Sequence, residues 1–230
     1  MSDTATASPV ADSGEALLVL ATGNPAKLTE LTRILAAGRV AVRLAALSEF
    51  PGAPAVRETG ATFAENALLK ARAIAGFTGL PAVADDSGLC ADALNGMPGV
   101  LSARWAGAAA GDERNLRLLL EQLADVPPQR RAAHFSCAAA LVLPSGREQV
   151  SEGAMHGTLL REPRGTGGFG YDPIFVPDLA ELVRARLITT ADAAGDQLTT
   201  AQLPPEAKDA ISHRGKALRA LAPVIAALLG

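Results

Sequence analysis

The chain has 230 residues, 49% of them hydrophobic and 20% charged, with a formal net charge of −3. That is enough apolar material for a full core, and the weak negative charge provides neither a broad basic field for nucleic acid nor an acidic tail. Two cysteines, Cys90 and Cys137, make neither a disulfide framework nor a metal quartet, and both read as reduced core residues. The apolar runs fall short of a membrane span, and the N-terminus lacks the basic start and apolar centre of a signal peptide, so the expected location is cytoplasmic.

Residues 1–14 are mostly Ser, Thr, Ala, Asp and Gly, with little to bury, and read as a disordered extension ahead of one domain over 15–230. Ala16 to Ala21 is a candidate buried strand. It runs into Thr22-Gly23-Asn24-Pro25-Ala26-Lys27, where Asn24 suits an N-cap and Pro25 the first helical position. Leu28, Leu31, Ile34 and Leu35 then form an apolar helical stripe. Such a strand–turn–helix aims backbone N–H groups and the positive end of a helix dipole at an anion, although no Gly-Lys-Ser/Thr follows to make it a Walker loop. In isolation it is equally an ordinary capped helix with a surface lysine.

A second strand is expected over Val40 to Leu47, followed by a helix opened by Thr62 and Glu65 at capping-box spacing and running to about Gly76. Glu58, in the loop before it, has no such structural role. Pro81-Ala-Val-Ala-Asp85-Asp86-Ser87-Gly88 reads as a short buried strand that stops at two adjacent carboxylates, or alternatively as a polar turn. Strand alternation sends Asp85 and Asp86 to opposite faces, so they cannot share one job. Arg104 beside the lone Trp105 lines a site or belongs to a loop anchored by the tryptophan. Asp112 caps an amphipathic helix that ends before Pro127-Pro128. His134 to Leu143 and Glu148 to Gly153 make a hairpin, with His134 a packed edge histidine.

Gly165-Thr166-Gly167-Gly168-Phe169-Gly170-Tyr171-Asp172 places an aromatic pair among glycines, which lets backbone or ring approach a ligand closely. A strand finishes at Ile174 to Pro177, and 178–196 is placed as a helical or irregular insertion. A last helical element begins near Pro204-Pro205 and carries Lys208, Ser212, His213, Arg214 and Lys216, either as a gathered donor set or as a solvated basic face. Strands and helices intermix around a hairpin, which predicts an α/β fold with a mixed sheet and flanking helices.

Together these stretches supply what metal-dependent attack on a nucleoside triphosphate requires: cations for phosphates, carboxylates for Mg²⁺ and for a water proton, and an aromatic for a base. Mg²⁺ takes one or two protein carboxylates, which Glu58 and Asp86 could provide. Thr22 to Lys27, Glu58-Thr59-Gly60, Phe63 to Ala67, Ala84 to Leu89, Gly167 to Pro173 and Ser212 to Gly215 resemble, in order, the motifs of the inosine triphosphatase (RdgB-type) family of noncanonical purine nucleoside triphosphate pyrophosphatases.

The resemblance implies hydrolysis of dITP, ITP and XTP to the monophosphate and pyrophosphate, by an elongated two-lobed α/β homodimer with the active site in a cleft. It also implies roles. Thr22, Gly23, Asn24, Pro25, Ala26 and Lys27 would bind the triphosphate, with Lys27 also catalytic. Asp86 would be the proton acceptor and a Mg²⁺ ligand, Glu58 the second metal carboxylate and Asp85 their support. Ser87 would touch substrate. Phe169, Gly170, Tyr171 and Asp172 would form the base loop, with Phe169 stacking on the purine. Lys208, His213 and Arg214 would hold phosphate and read the base edge. Ala26 departs from a common glycine. The rival readings are a Maf-like pyrophosphatase of other specificity and a nucleotide-binding regulator without catalysis.

Overall fold

The computed structural model describes residues 16–187 and 198–229. The expected N-terminal extension and residues 188–196 of the expected insertion lie outside them. Six strands form one mixed sheet in the order β2-β1-β3-β4-β5-β6. They are β1 (Ala16–Leu20), β2 (Val42–Ala46), β3 (Ala82–Ala91), β4 (Ala132–Val142), β5 (Glu148–Leu159) and β6 (Phe175–Pro177). β1 pairs in parallel with β2 and β3, and the β3–β4, β4–β5 and β5–β6 pairs are antiparallel. The helices are α1 (Pro25–Ala37), α2 (Phe63–Thr78), α3 (Asp112–Gln122), α4 (Leu179–Arg184), α5 (Pro205–Ile211) and α6 (His213–Leu229).

The central strand differs from its sequence reading. β3 does not stop at the carboxylates but continues through Asp85, Asp86 and Ser87 to Ala91, because β4 offers an unbroken partner, with Asp85 opposite Ala139 and Asp86 opposite Ala138. Cross-strand pairing overrides the turn tendency of Asp-Ser-Gly here. β4 is also interior, so His134 is not an edge residue; it faces His156 across β5 with ring centroids 5.3 Å apart.

Period-2 alternation gives the sheet two apolar faces. On one, Leu18, Leu20, Val83, Cys137, Ala139 and Leu141 pack against Leu31, Ile34 and Leu35 of α1 and Leu218, Leu221 and Ile225 of α6. On the other, Val19, Ala82, Ala84, Ala138 and Ala140 pack against Ala67, Ala71 and Ile74 of α2. A third cluster joins Leu89, Phe135 and Met155 to α3 and to Tyr171, Ile174 and Phe175. Asp85 follows the alternation to the α1/α6 face and Asp86 to the α2 face.

Candidate active site

Asp85 is buried among cations. Lys27 donates to its Oδ2 at 2.7 Å from the first turn of α1, and Arg214 Nε donates to the same oxygen at 2.9 Å from the start of α6. Complete burial disfavours the anion, but the two cations outweigh it and pull the Asp85 pKa down to about 2. Arg214 also reaches Ser87 Oγ at 3.3 Å and, at 3.7 Å, Glu30. The start of α6 can sit this close because β5 has Gly153 beneath it, where a Cβ would overlap the His213 carbonyl and lie 2.6 Å from Ala217 N.

Asp86 belongs to a separate group on the other face of β3. Asn66 Nδ2 donates to its Oδ2 at 3.0 Å, and Lys70 Nζ donates to Asp86 Oδ1 at 3.1 Å and to Glu58 Oε1 at 2.9 Å. Burial dominates at Asp86 and raises its pKa despite Lys70 and Asn66. At Glu58 burial is outweighed by Lys70 and Arg104, which hold the carboxyl below its ordinary value. Asn66 and Lys70 are one helical turn apart on α2, beside the buried Ala67 and Ala71. A polar pair on a core-facing stripe is the one signal in the sequence for this group.

A cavity of about 880 Å³ opens on the Asp85 side. Its lining includes Asn24, Lys27, Ser87, Phe169, Gly170, Tyr171, Asp172, Lys208, His213 and Arg214, but not Glu58 or Asp86. Thr22 accepts from Asn24 N at 3.3 Å, and Pro25 and Ala26 begin α1. The structure thus gathers most of the expected substrate set around one cavity and places the expected metal carboxylates behind the strand that forms its wall.

The loop at 167–172 divides its labour. Phe169 is 66% exposed, held between Gly168 and Gly170 at φ 74° and 59°. Lys208 Nζ lies 5.0 Å from its ring centroid and also binds the Asp172 carboxylate. Asp172 is buried and further accepts from Phe169 N (2.8 Å) and Thr200 Oγ1 (2.8 Å), so it braces the loop. Tyr171 is buried too, its hydroxyl donating to Ser102 O at 2.9 Å. Asp112 is not a cap: Gly111 takes the cap position, and the Asp112 carboxylate instead accepts from Gly170 N at 2.8 Å. Across the rim, Arg33 of α1 pairs with Asp209 of α5 at 2.6 Å.

His213 stacks on Phe135 with centroids 5.0 Å apart, and its buried Nδ1 has no hydrogen-bond partner among the described residues. Burial and the adjacent Arg214 push its pKa down to about 3, so the ring is neutral. Trp105 is an anchor, its Nε1 donating to Gln122 Oε1 at 2.7 Å, while Arg104 turns to Glu58. Among the described residues no three His, Cys, Asp or Glu side chains converge on a metal position, and no helix is long and apolar enough to cross a membrane.

Comparison with known proteins identifies the family. Residues 18–224 match the Ham1 family model. The chain is 55% identical over 213 residues to the dITP/XTP pyrophosphatase of Streptomyces coelicolor, covering 93% of this chain and 98% of that protein. It is 56% identical over 214 residues to that of Corynebacterium efficiens, covering 93% and 99%. Among solved structures, a HAM1 protein from Coxiella burnetii superposes with TM-score 0.78 at 40% identity, over 91% of this chain and 98% of that one. A dITP/XTP pyrophosphatase from Mycobacterium abscessus superposes with TM-score 0.72 at 50% identity, over 91% and 99%. Matching the family model over residues 18–224 and sharing fold and nearly its whole length with these proteins, the chain belongs to the Ham1 family.

Proposed function

We propose that this chain hydrolyses the noncanonical purine nucleoside triphosphates dITP, ITP and XTP to monophosphate and pyrophosphate with Mg²⁺, clearing deaminated purines from the nucleotide pool. The observation that carries the reading is a nucleotide-sized cavity with Lys27 and Arg214 on one wall and an exposed Phe169 beside Lys208 on another, backed by a strand carrying two differently held aspartates. The cytoplasm and a two-lobed homodimer over 15–230 are part of the same proposal.

Lys27 and Arg214 would hold the triphosphate, and Asp85 keeps both cations aimed into the cavity before it arrives. Asp86 would accept the proton of the attacking water; its raised pKa makes it a stronger base than an ordinary aspartate. Lys70 stands between Asp86 and Glu58 and compensates their charge as that proton moves. The two carboxylates offer hard oxygens that already bracket one cation, the Lys70 ammonium, and this donor set fits Mg²⁺, with phosphate and water completing the octahedron. When bound, Mg²⁺ would neutralise developing phosphoryl charge and acidify the attacking water.

Phe169 would stack on the purine, while Lys208, His213 and Arg214 present donors to its edge. Deamination replaces a 6-amino donor with a 6-keto acceptor, so adenine would leave buried donors unpaired, at about 1–3 kcal/mol each. A panel of dITP, ITP, XTP, dATP, dGTP, dTTP and UTP with Mg²⁺ tests the proposal. Preference for the deaminated purines with release of pyrophosphate is expected; preference for the pyrimidines or release of orthophosphate would overturn it.

A further inference from the structure

The turn Gly99–Arg104 touches both halves of the site. At its end, Arg104 Nη1 lies 3.3 Å from Glu58 Oε2, and Nη2 lies 3.3 Å from the Glu58 carbonyl oxygen. Two residues earlier, Ser102 accepts the Tyr171 hydroxyl on its own carbonyl at 2.9 Å. The turn is firmly seated. Ser102 Oγ accepts from Leu89 N at 2.9 Å and donates to Gly99 O at 2.6 Å. Asn115, buried on α3, donates to Ala103 O at 3.1 Å and accepts from Ala106 N at 2.7 Å. A Cβ at Gly88 would overlap Gly99 O and Ser102 Oγ, so it is this glycine that lets the turn close on β3 two residues beyond Asp86.

Glu58 needs such a support. It stands in the loop before α2, in neither a helix nor a strand, and its other cation, Lys70, is shared with Asp86. A divalent cation arriving between Glu58 and Asp86 would compete with Lys70 for the same oxygens. A second cation that grips both the far carboxylate oxygen and the backbone of Glu58 keeps the group in place through that exchange. We propose that Arg104 is a positioning residue that holds the Glu58 carboxylate toward Asp86, and that the 99–104 turn links this carboxylate to Tyr171 at the base loop. The inference rests on the reading of Glu58 as a metal carboxylate.

The test is binding of Mn²⁺ as a probe, followed by its free electron paramagnetic resonance signal, to the protein with an α,β-imido analogue of dITP, in which the bond the reaction breaks is replaced, measured against the analogue alone. Residues that orient metal ligands typically change affinity by about 10–100-fold. Arg104→Gln is expected to weaken Mn²⁺ by about tenfold, with the KM for dITP at saturating Mg²⁺ nearly unchanged and with part of the affinity recovered in Arg104→Lys, which keeps the charge but not the two-pronged grip. Rescue by lysine separates positioning from damage to the fold. Tyr171→Phe, which removes one hydroxyl, is expected to weaken Mn²⁺ by a smaller factor alone and to add nothing in the Arg104→Gln background. Wild-type Mn²⁺ affinity in Arg104→Gln, alongside weakened binding in Glu58→Gln, would overturn this inference alone. Wild-type affinity in Glu58→Gln would overturn the reading of Glu58 beneath it. Additive effects of Tyr171→Phe and Arg104→Gln would overturn the link through the turn.

Discussion

Asp85 and Asp86 are the same residue type one step apart, and β3 gives them opposite chemistry. Asp85 faces α1 and α6, binds Lys27 and Arg214, and is an anion at neutral pH with its pKa drawn down to about 2. Asp86 faces α2, where burial outweighs Lys70 and Asn66 and raises its pKa. The difference teaches that strand alternation can divide one acidic dipeptide into a structural counter-ion and a proton-capable group. Identity supplies a carboxylate, and only the packing around it decides what that carboxylate does.

The largest test of this division is Asp86→Asn, expected to lower kcat by about 10³-fold, the scale of a lost general base, with little change in melting temperature. Steady-state kinetics beside thermal unfolding would check it, and near-wild-type turnover would remove Asp86 from the chemistry. Asp85→Asn should do the reverse and show first in stability: stripping the shared carboxylate from two largely buried cations costs about 3 kcal/mol, readable in urea unfolding. Lys27→Ala should lower kcat/KM for dITP by about a hundredfold, as expected for losing one charge-assisted phosphate contact of about 2–3 kcal/mol.

Acid titration sharpens the contrast further. A carboxyl whose pKa falls from 3.8 unfolded to about 2 folded stabilises the protein above pH 4 and loses that contribution between about pH 4 and pH 2. The shift corresponds to about 2 kcal/mol, and Asp85→Asn should abolish it, which urea unfolding in that window would measure. A last test is Gly153→Ala, whose Cβ would meet backbone of α6 on two sides, so that overpacking of about 3 kcal/mol should push the start of α6 away from β5. A loss of dITP affinity larger than the loss of stability would show that this approach serves Arg214.

Much of this was legible in the sequence because local pattern and tertiary outcome agree. The apolar stripe of α1, the hairpin of β4 and β5 and the Gly-rich run around Phe169 appear as expected. The opposite faces of Asp85 and Asp86 follow from period 2 alone. What was not legible depended on partners distant in sequence. β3 runs through its acidic dipeptide because β4 pairs with it over ten positions, a fact that no local rule for Asp-Ser-Gly contains. Tyr171 sits in the expected base loop, yet its hydroxyl is spent on Ser102, 69 residues away. Asp112 looks like a cap in sequence and serves Gly170 instead, 58 residues away. Lys70 has no role in the sequence until Glu58 and Asp86 are both found within hydrogen-bond reach.

The ion pair between Arg33 and Asp209 joins groups 176 residues apart, and its exposure means that it contributes little by itself. Its wider meaning lies in the order of assembly: the cavity has one wall from the start of the described chain and another from its end, so no partial fold contains it. Closing a loop of that length is slow relative to forming a local turn. A bound nucleotide would therefore stabilise only the finished protein, by about 2.7 kcal/mol at a hundred times its dissociation constant, and its occupancy would protect α1 together with α5 and the start of α6 from proteolysis as a single unit.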